Sequence, residues 1–217
     1  MAPFDFGRLA EELAGRVVGF TGSRLGMAEP QRVAFGEVMA ALQPRVGHHG
    51  LCVGADAQFH YVCRDLGVRI EGHPPVDPKL RAWLQCDVLH PEKPYLARDW
   101  DIVRVAEVLV ATPRERPWKG GTWRTVGFAN QVERRTILIR PDGMVLDSAH
   151  PIVAGPFWVD PALPQAEYRA AVRAKADLDP RLFSDAFLDQ QRERSAELLK
   201  RYRAGDVRLQ GGSVAQP

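Results

Sequence analysis

The sequence predicts an α/β fold: a doubly wound, mostly parallel sheet with helices on both faces, followed by a helical C-terminal extension. Three observations point there. Apolar runs such as Val108-Leu109-Val110-Ala111, of the kind buried parallel strands produce, alternate with stretches whose apolar residues recur at i, i+3, i+4 and i+7. Glycine turns separate the two kinds of segment. The alternation then stops near Ser148, where composition shifts towards proline and aromatic residues. The division read from this is a ligand-binding domain over 1–148 and an extension over 149–217.

Taken in order, Phe4 to Gly15 reads as a leading helix with Leu9 and Leu13 on one face. Arg16 to Thr21 is a first strand, closed by Gly22-Ser23-Arg24. Pro30 starts a helix, since its missing N–H costs nothing in the first turn, and Phe35, Val38, Met39 and Leu42 form its core stripe. Val46 to Val53 is a second strand, weakened by His48 and His49. After Gly54-Ala55-Asp56 a helix carries Phe59, Val62, Cys63 and Leu66, and Val68 to Ile70 is a third strand. Pro74 to Pro94 reads as a connection over the sheet edge, with a short helix or an extra strand in Leu80 to Val88. Ile102, Val105 and Ala106 give a helical face ahead of the strand Val108 to Ala111, and Thr122 opens the next helix. Thr136 to Arg140 is a last parallel strand, with Met144 to Leu146 returning as a hairpin partner. Beyond it lie a proline-rich strap (Pro151 to Pro164), a helix over Gln165 to Lys175, another from Asp179-Pro180 to Tyr202, and a tail of disordered composition from Gln210.

Lys+Arg 29 against Asp+Glu 27 gives a net charge of +2, too balanced to argue for a nucleic-acid or membrane-surface binder. No stretch approaches the roughly 18 consecutive apolar residues of a membrane span. Three cysteines without framework spacing suit a reducing compartment. The expectation is a cytoplasmic protein with no membrane partner.

Three glycine turns fall at strand carboxyl ends: Gly22-Ser23-Arg24, Gly54-Ala55-Asp56 and Gly120-Gly121-Thr122. In an open parallel sheet, ligands bind outside those ends, where strand order reverses. Free N–H groups and the dipole at a helix N-terminus favour an anion there, and glycine lets backbone approach a phosphate. Arg24 and Arg98 are available to pair phosphate oxygens. The nucleotide-binding set is therefore Gly22, Ser23, Arg24, Gly54, Ala55, Asp56, Arg98, Pro113, Lys119, Gly120, Gly121, Thr122 and Trp123. Trp118 and Trp123 flank the glycine pair and can stack on a base, although packing explains Trp123 better. Gly121→Asp is expected to abolish binding with little loss of fold. Neither a metal nor a cofactor is expected. His60 with Cys63 and Cys86 with His90 have metal-ligand spacings, but Cys63 belongs to the apolar stripe of its helix.

The segments GFTGSR (19–24), GLCVGAD (50–56), ARDWDIVRVAEVLVATP (97–113), KGGTWRTVGFAN (119–130) and ILIRPDG (137–143) together resemble one superfamily. It is the Rossmann-like group, abbreviated SLOG, that unites the "lonely guy" (LOG) phosphoribohydrolases with the DNA-processing protein A family. The resemblance covers about residues 16–143 and does not reach past Ser148. It implies nucleotide binding and frequent self-association, hence a homodimer. In the LOG enzymes an arginine and the glutamate of a GGxGTxxE motif cleave the N-glycosidic bond of a nucleoside monophosphate. Arg98 stands where the arginine is expected, and Gly121-Thr122 matches the GT pair, but Thr125 occupies the glutamate position. Threonine has no carboxylate to stabilise an oxocarbenium ion or handle a proton.

Asp56 and Asp99, with Arg98, are the candidate catalytic groups left; their plainer roles are a helix N-cap for Asp56 and a solvated first-turn acid for Asp99. The resulting expectation is a binding or sensing module for a nucleotide or nucleotide-derived molecule. The alternatives are an N-glycosidase acting on nucleoside monophosphates and, less favoured, single-stranded DNA binding.

Overall fold

The computed structural model describes residues 4–114, 120–149 and 162–176, with scattered positions between 185 and 200. The chain divides into two compact units, one of residues 5–149 and one of residues 1–4 with 150–217.

The first unit runs α1 (Phe6–Leu13), β1 (Val17–Gly22), α2 (Glu29–Leu42), β2 (Val46–His49), α3 (Ala55–Asp65) and β3 (Arg69–Gly72). It continues with β4 (Val88–Leu89), α4 (Tyr95–Val105), β5 (Val108–Thr112), α5 (Gly121–Gln131), β6 (Arg135–Ile139) and β7 (Val145–Asp147). One sheet holds all seven strands in the order β4-β3-β2-β1-β5-β6-β7. Every neighbouring pair is parallel except β6 and β7, which form the expected hairpin. This is the doubly wound, Rossmann-like α/β fold.

Every residue of β5 is buried, as a strand covered on both faces should be. Beside it, the ring of Phe20 on β1 stacks on Phe59 of α3 at 4.6 Å and meets Phe35 of α2 edge-on at 5.6 Å. Gln31, also on α2, is fully buried and donates to the carbonyls of Pro113 (3.0 Å) and Ile139 (2.7 Å). It thereby ties the ends of β5 and β6 to one helix.

Two segments differ from the sequence expectation, and a third takes one of its two expected forms. β2 stops at His49 rather than Val53, because Gly50 and Leu51, the latter at φ 51°, turn the chain away. Of the short helix or extra strand expected over Leu80 to Val88, the strand is present at its far end, as β4. β4 pairs with β3, and the Asp87 carboxylate fastens the edge by accepting from the Ile70 N–H at 2.7 Å. In α4 the buried face is Arg98, Asp99, Ile102 and Val103, whereas Val105 is exposed.

In the second unit α6 (Gln165–Ala176) carries Arg169, which pairs with Asp185 and Asp189, and Arg173, which pairs with Asp185. Most of the strap, the tail and most of the helix expected over 179–202 lie outside the described residues. Among the described residues no helix is long and apolar enough to cross a membrane.

Candidate functional site

Strand order reverses between β1 and β5, the topological switch point at which open sheets of this kind take their ligands. Gly22 and Thr112 are register partners at the carboxyl ends of those strands, and the Ser23 N–H donates to the Thr112 carbonyl at 3.3 Å. The Thr112 hydroxyl is fully buried and has no hydrogen-bond partner among the described residues. Ser23 is buried, with its hydroxyl accepting from the Leu25 N–H, and Arg24 is exposed on the turn. On the other side α5 begins after Gly120, whose φ of 86° favours glycine, and among the described residues no side chain caps the helix. Thr122 is buried in its first turn.

The second glycine turn packs against the first. The Ala55 N–H donates to the Ser23 carbonyl at 2.9 Å. A Cβ on Gly54 would collide with the Arg24 carbonyl, and one on Gly22 with the Ala55 methyl. Glycine at 22 and 54 thus lets one turn seat on the other, a packing role independent of any ligand. At Gly121 a Cβ would collide with the Tyr95 hydroxyl. Any side chain there must displace Tyr95, so Gly121→Asp disturbs its surroundings more than the sequence implied.

Behind these turns sits a buried charge cluster. Arg98 and Asp99 are each 5% exposed and Asp56 is 6% exposed. Arg98 donates to Asp99 Oδ1 from Nε at 3.3 Å and from Nη2 at 3.0 Å, and its Nη1 reaches the Gly50 carbonyl and the Cys52 sulfur, both at 3.2 Å. Asp56 Oδ2 accepts from the Cys52 N–H at 3.0 Å. A Cβ on Gly50 would stand 3.0 Å from both the Arg98 guanidinium carbon and Asp56 Oδ2, so glycine there leaves room for the pair. The Thr125 hydroxyl lies 2.9 Å from Asp99 Oδ2 and 3.1 Å from the Gly121 carbonyl.

Burial pushes the Asp56 carboxyl up to about 6, against the opposing pull of Arg98. Asp99 is raised as well, burial again outweighing Arg98 and Thr125. Burial opposes the charge on Arg98, yet Asp99, Cys52 and Asp56 hold it above its ordinary value. The Cys52 thiol is driven up to about 11 by burial. Two plain roles are therefore corrected: Asp99 is not solvated, and Asp56 is not an N-cap, since Gly54 holds that position. A signal for Arg98 and Asp99 was present, because the spacing 98, 99, 102, 103 runs the apolar stripe of α4 back through them.

The Trp123 side chain belongs to the core with Val103, Leu109, Ala111, Val126 and Ala129, so packing is its role. Pro113 is buried, with its carbonyl held by Gln31. Trp118 and Lys119 lie outside the described residues.

Sequence spacing singled out His60 and His90 but not the partners they meet. His48, His73 and His90 gather at the ends of β2, β3 and β4, and His49, His60 and Cys86 form a second group. The spaced pairs do not stay together: Cys63 is core, and Cys86 and His90 fall in different groups. His48 is lowered by burial, and burial with the neighbouring His90 and His48 brings His73 down to about 3.

No family model matches the chain, and no curated protein sequence matches it. Among solved structures it is similar to the molybdenum cofactor binding protein of the phototrophic bacterium Rippkaea orientalis, at TM-score 0.48 and 16% identity over 87% of this chain and 97% of that one. It is also similar to the molybdenum cofactor carrier protein of Chlamydomonas reinhardtii, at TM-score 0.44 and 18% identity over 57% of this chain and 76% of that one.

Chemically, the switch point offers glycine turns, a helix N-terminus that no described side chain caps, and an exposed arginine. The carboxylates behind it are engaged by Arg98, Thr125 and the Cys52 N–H.

Proposed function

We propose that this chain binds a nucleotide or nucleotide-derived small molecule at the carboxyl ends of β1 and β5 and holds it without turning it over. The observation that carries the reading is the α5 N-terminus, which no described side chain caps and which follows β5 at the switch point. The free N–H groups of its first turn suit an anionic group with several acceptor oxygens. Gly22, Ser23 and Arg24 form the opposite wall, and Arg24 supplies the charge. Binding rather than cleavage is favoured by Thr125. It stands in the glutamate position of the LOG motif, and its hydroxyl is spent on Asp99 and the Gly121 carbonyl.

One observation favours an N-glycosidase instead. Asp56, buried and raised to about 6 beside Arg98, has the displaced titration expected of a proton-handling carboxyl. Native mass spectrometry of the purified chain with nucleoside monophosphates, NAD and ADP-ribose, followed by product analysis, separates the two. A ligand that stays bound and returns intact supports the binding module. Release of free base transfers the function to the enzyme reading, and no bound species with any of them overturns both.

A further inference from the structure

We propose that His48, His73 and His90, with the Glu71 carboxylate beside them, bind one divalent transition-metal ion of the zinc class. None of the four belongs to the proposed nucleotide site.

Sheet register assembles the group. His48 is the register partner of Glu71, and the His73 N–H donates to the His49 carbonyl at 2.9 Å. The His90 N–H donates to the Gly72 carbonyl, also at 2.9 Å. Three parallel strand ends thus deliver one imidazole each to a common place. His48 Nδ1 lies 3.1 Å from His73 Nε2, and Glu71 Oε2 lies 2.9 Å from His90 Nε2 and 3.9 Å from His48 Nδ1. One ligand atom from each of the three histidines falls within 4.8 Å of the other two. Metal–nitrogen bonds of about 2.0–2.1 Å set ligand atoms about 3.3 Å apart around a tetrahedral ion, so small adjustments close the site. The His90 ring stacks on His73 at 4.2 Å, and its side chain is 34% exposed. It is the most exposed of the three rings and marks the way in. Imidazole and carboxylate together suit zinc and its neighbours in the first transition row.

The second histidine group is less available to a metal. His49 Nδ1 accepts from the Leu51 N–H at 3.3 Å, so its Nε2 carries the proton that faces His60 Nδ1 at 3.2 Å. Neither ring nitrogen of His49 has a lone pair to give without breaking one of those bonds.

Titration of the metal-stripped full-length protein with Co(II), then competition by Zn(II), tests the assignment. The expected result is one equivalent bound per chain, with visible d–d bands and no thiolate-to-cobalt charge-transfer band. His90→Ala, at a half-exposed position that tolerates truncation, should weaken Co(II) binding by about 100-fold, the upper end of what losing even an outer-shell partner costs. His73→Ala should do the same, and His60→Ala should leave binding unchanged. The proposal is overturned by an absence of saturable uptake, by full affinity in His90→Ala, or by a charge-transfer band that disappears in Cys86→Ser.

Discussion

The carboxyl group of Asp56 shares a buried space with Arg98 and Asp99, so two acids there face one guanidinium. Its pKa in the fold is about 6, above the ordinary value of 3.8. Between those values the folded chain holds a proton that the unfolded chain has released. The stabilisation from this group is therefore present below the unfolded value and is lost as pH rises through the folded one. Asp56→Asn keeps an acceptor for the Cys52 N–H and cannot ionise. Its Tm relative to wild type should accordingly climb between about pH 4 and pH 7. Two Tm curves that run parallel across that range would show that Asp56 titrates normally. Part of this cluster was legible in the sequence: Arg98 and Asp56 stood out as site residues and Thr125 as the departure from the LOG pattern. The burial of Asp99 was missed because charge was taken to mean exposure, although its position on the α4 stripe said otherwise.

At the scale of elements, Gln31 shows how a polar side chain holds secondary structure together. Its position three residues before Ala34 and four before Phe35 places it on the buried stripe of α2, and its amide serves one carbonyl just past β5 and one on β6. Gln31→Leu fills similar space but leaves both carbonyls buried without a donor, so it should cost about 2–4 kcal/mol, read from urea unfolding. An unfolding midpoint equal to wild type would mean that the two carbonyls find other donors. Strand–helix alternation was readable because apolar period and glycine punctuation agree along most of the chain. The end of β2 was not, because Val46 to Val53 stays apolar beyond the point where Leu51 adopts a positive φ. The histidine group was invisible for a related reason. Its members come from three strands, and one-dimensional spacing carries no information about which strands lie side by side.

For the molecule as a whole, the sheet places chemistry at one edge. The glycine turns, the buried acid–arginine cluster and the histidines all follow the carboxyl ends of parallel strands. That much follows from the fold class, which the alternating pattern predicts; strand order does not follow from it, and strand order decides that Gly22 and Thr112 are neighbours. Amide ¹H–¹⁵N spectra recorded while a nucleoside 5′-monophosphate is added report directly on the β1–β5 switch point. Shifts centred on Gly22, Ser23, Arg24, Gly120, Gly121 and Thr122, and reduced in the exposed-site variant Arg24→Glu, are the expected result. Saturable shifts confined to other parts of the sheet, or equal in Arg24→Glu, would contradict a nucleotide site at this position.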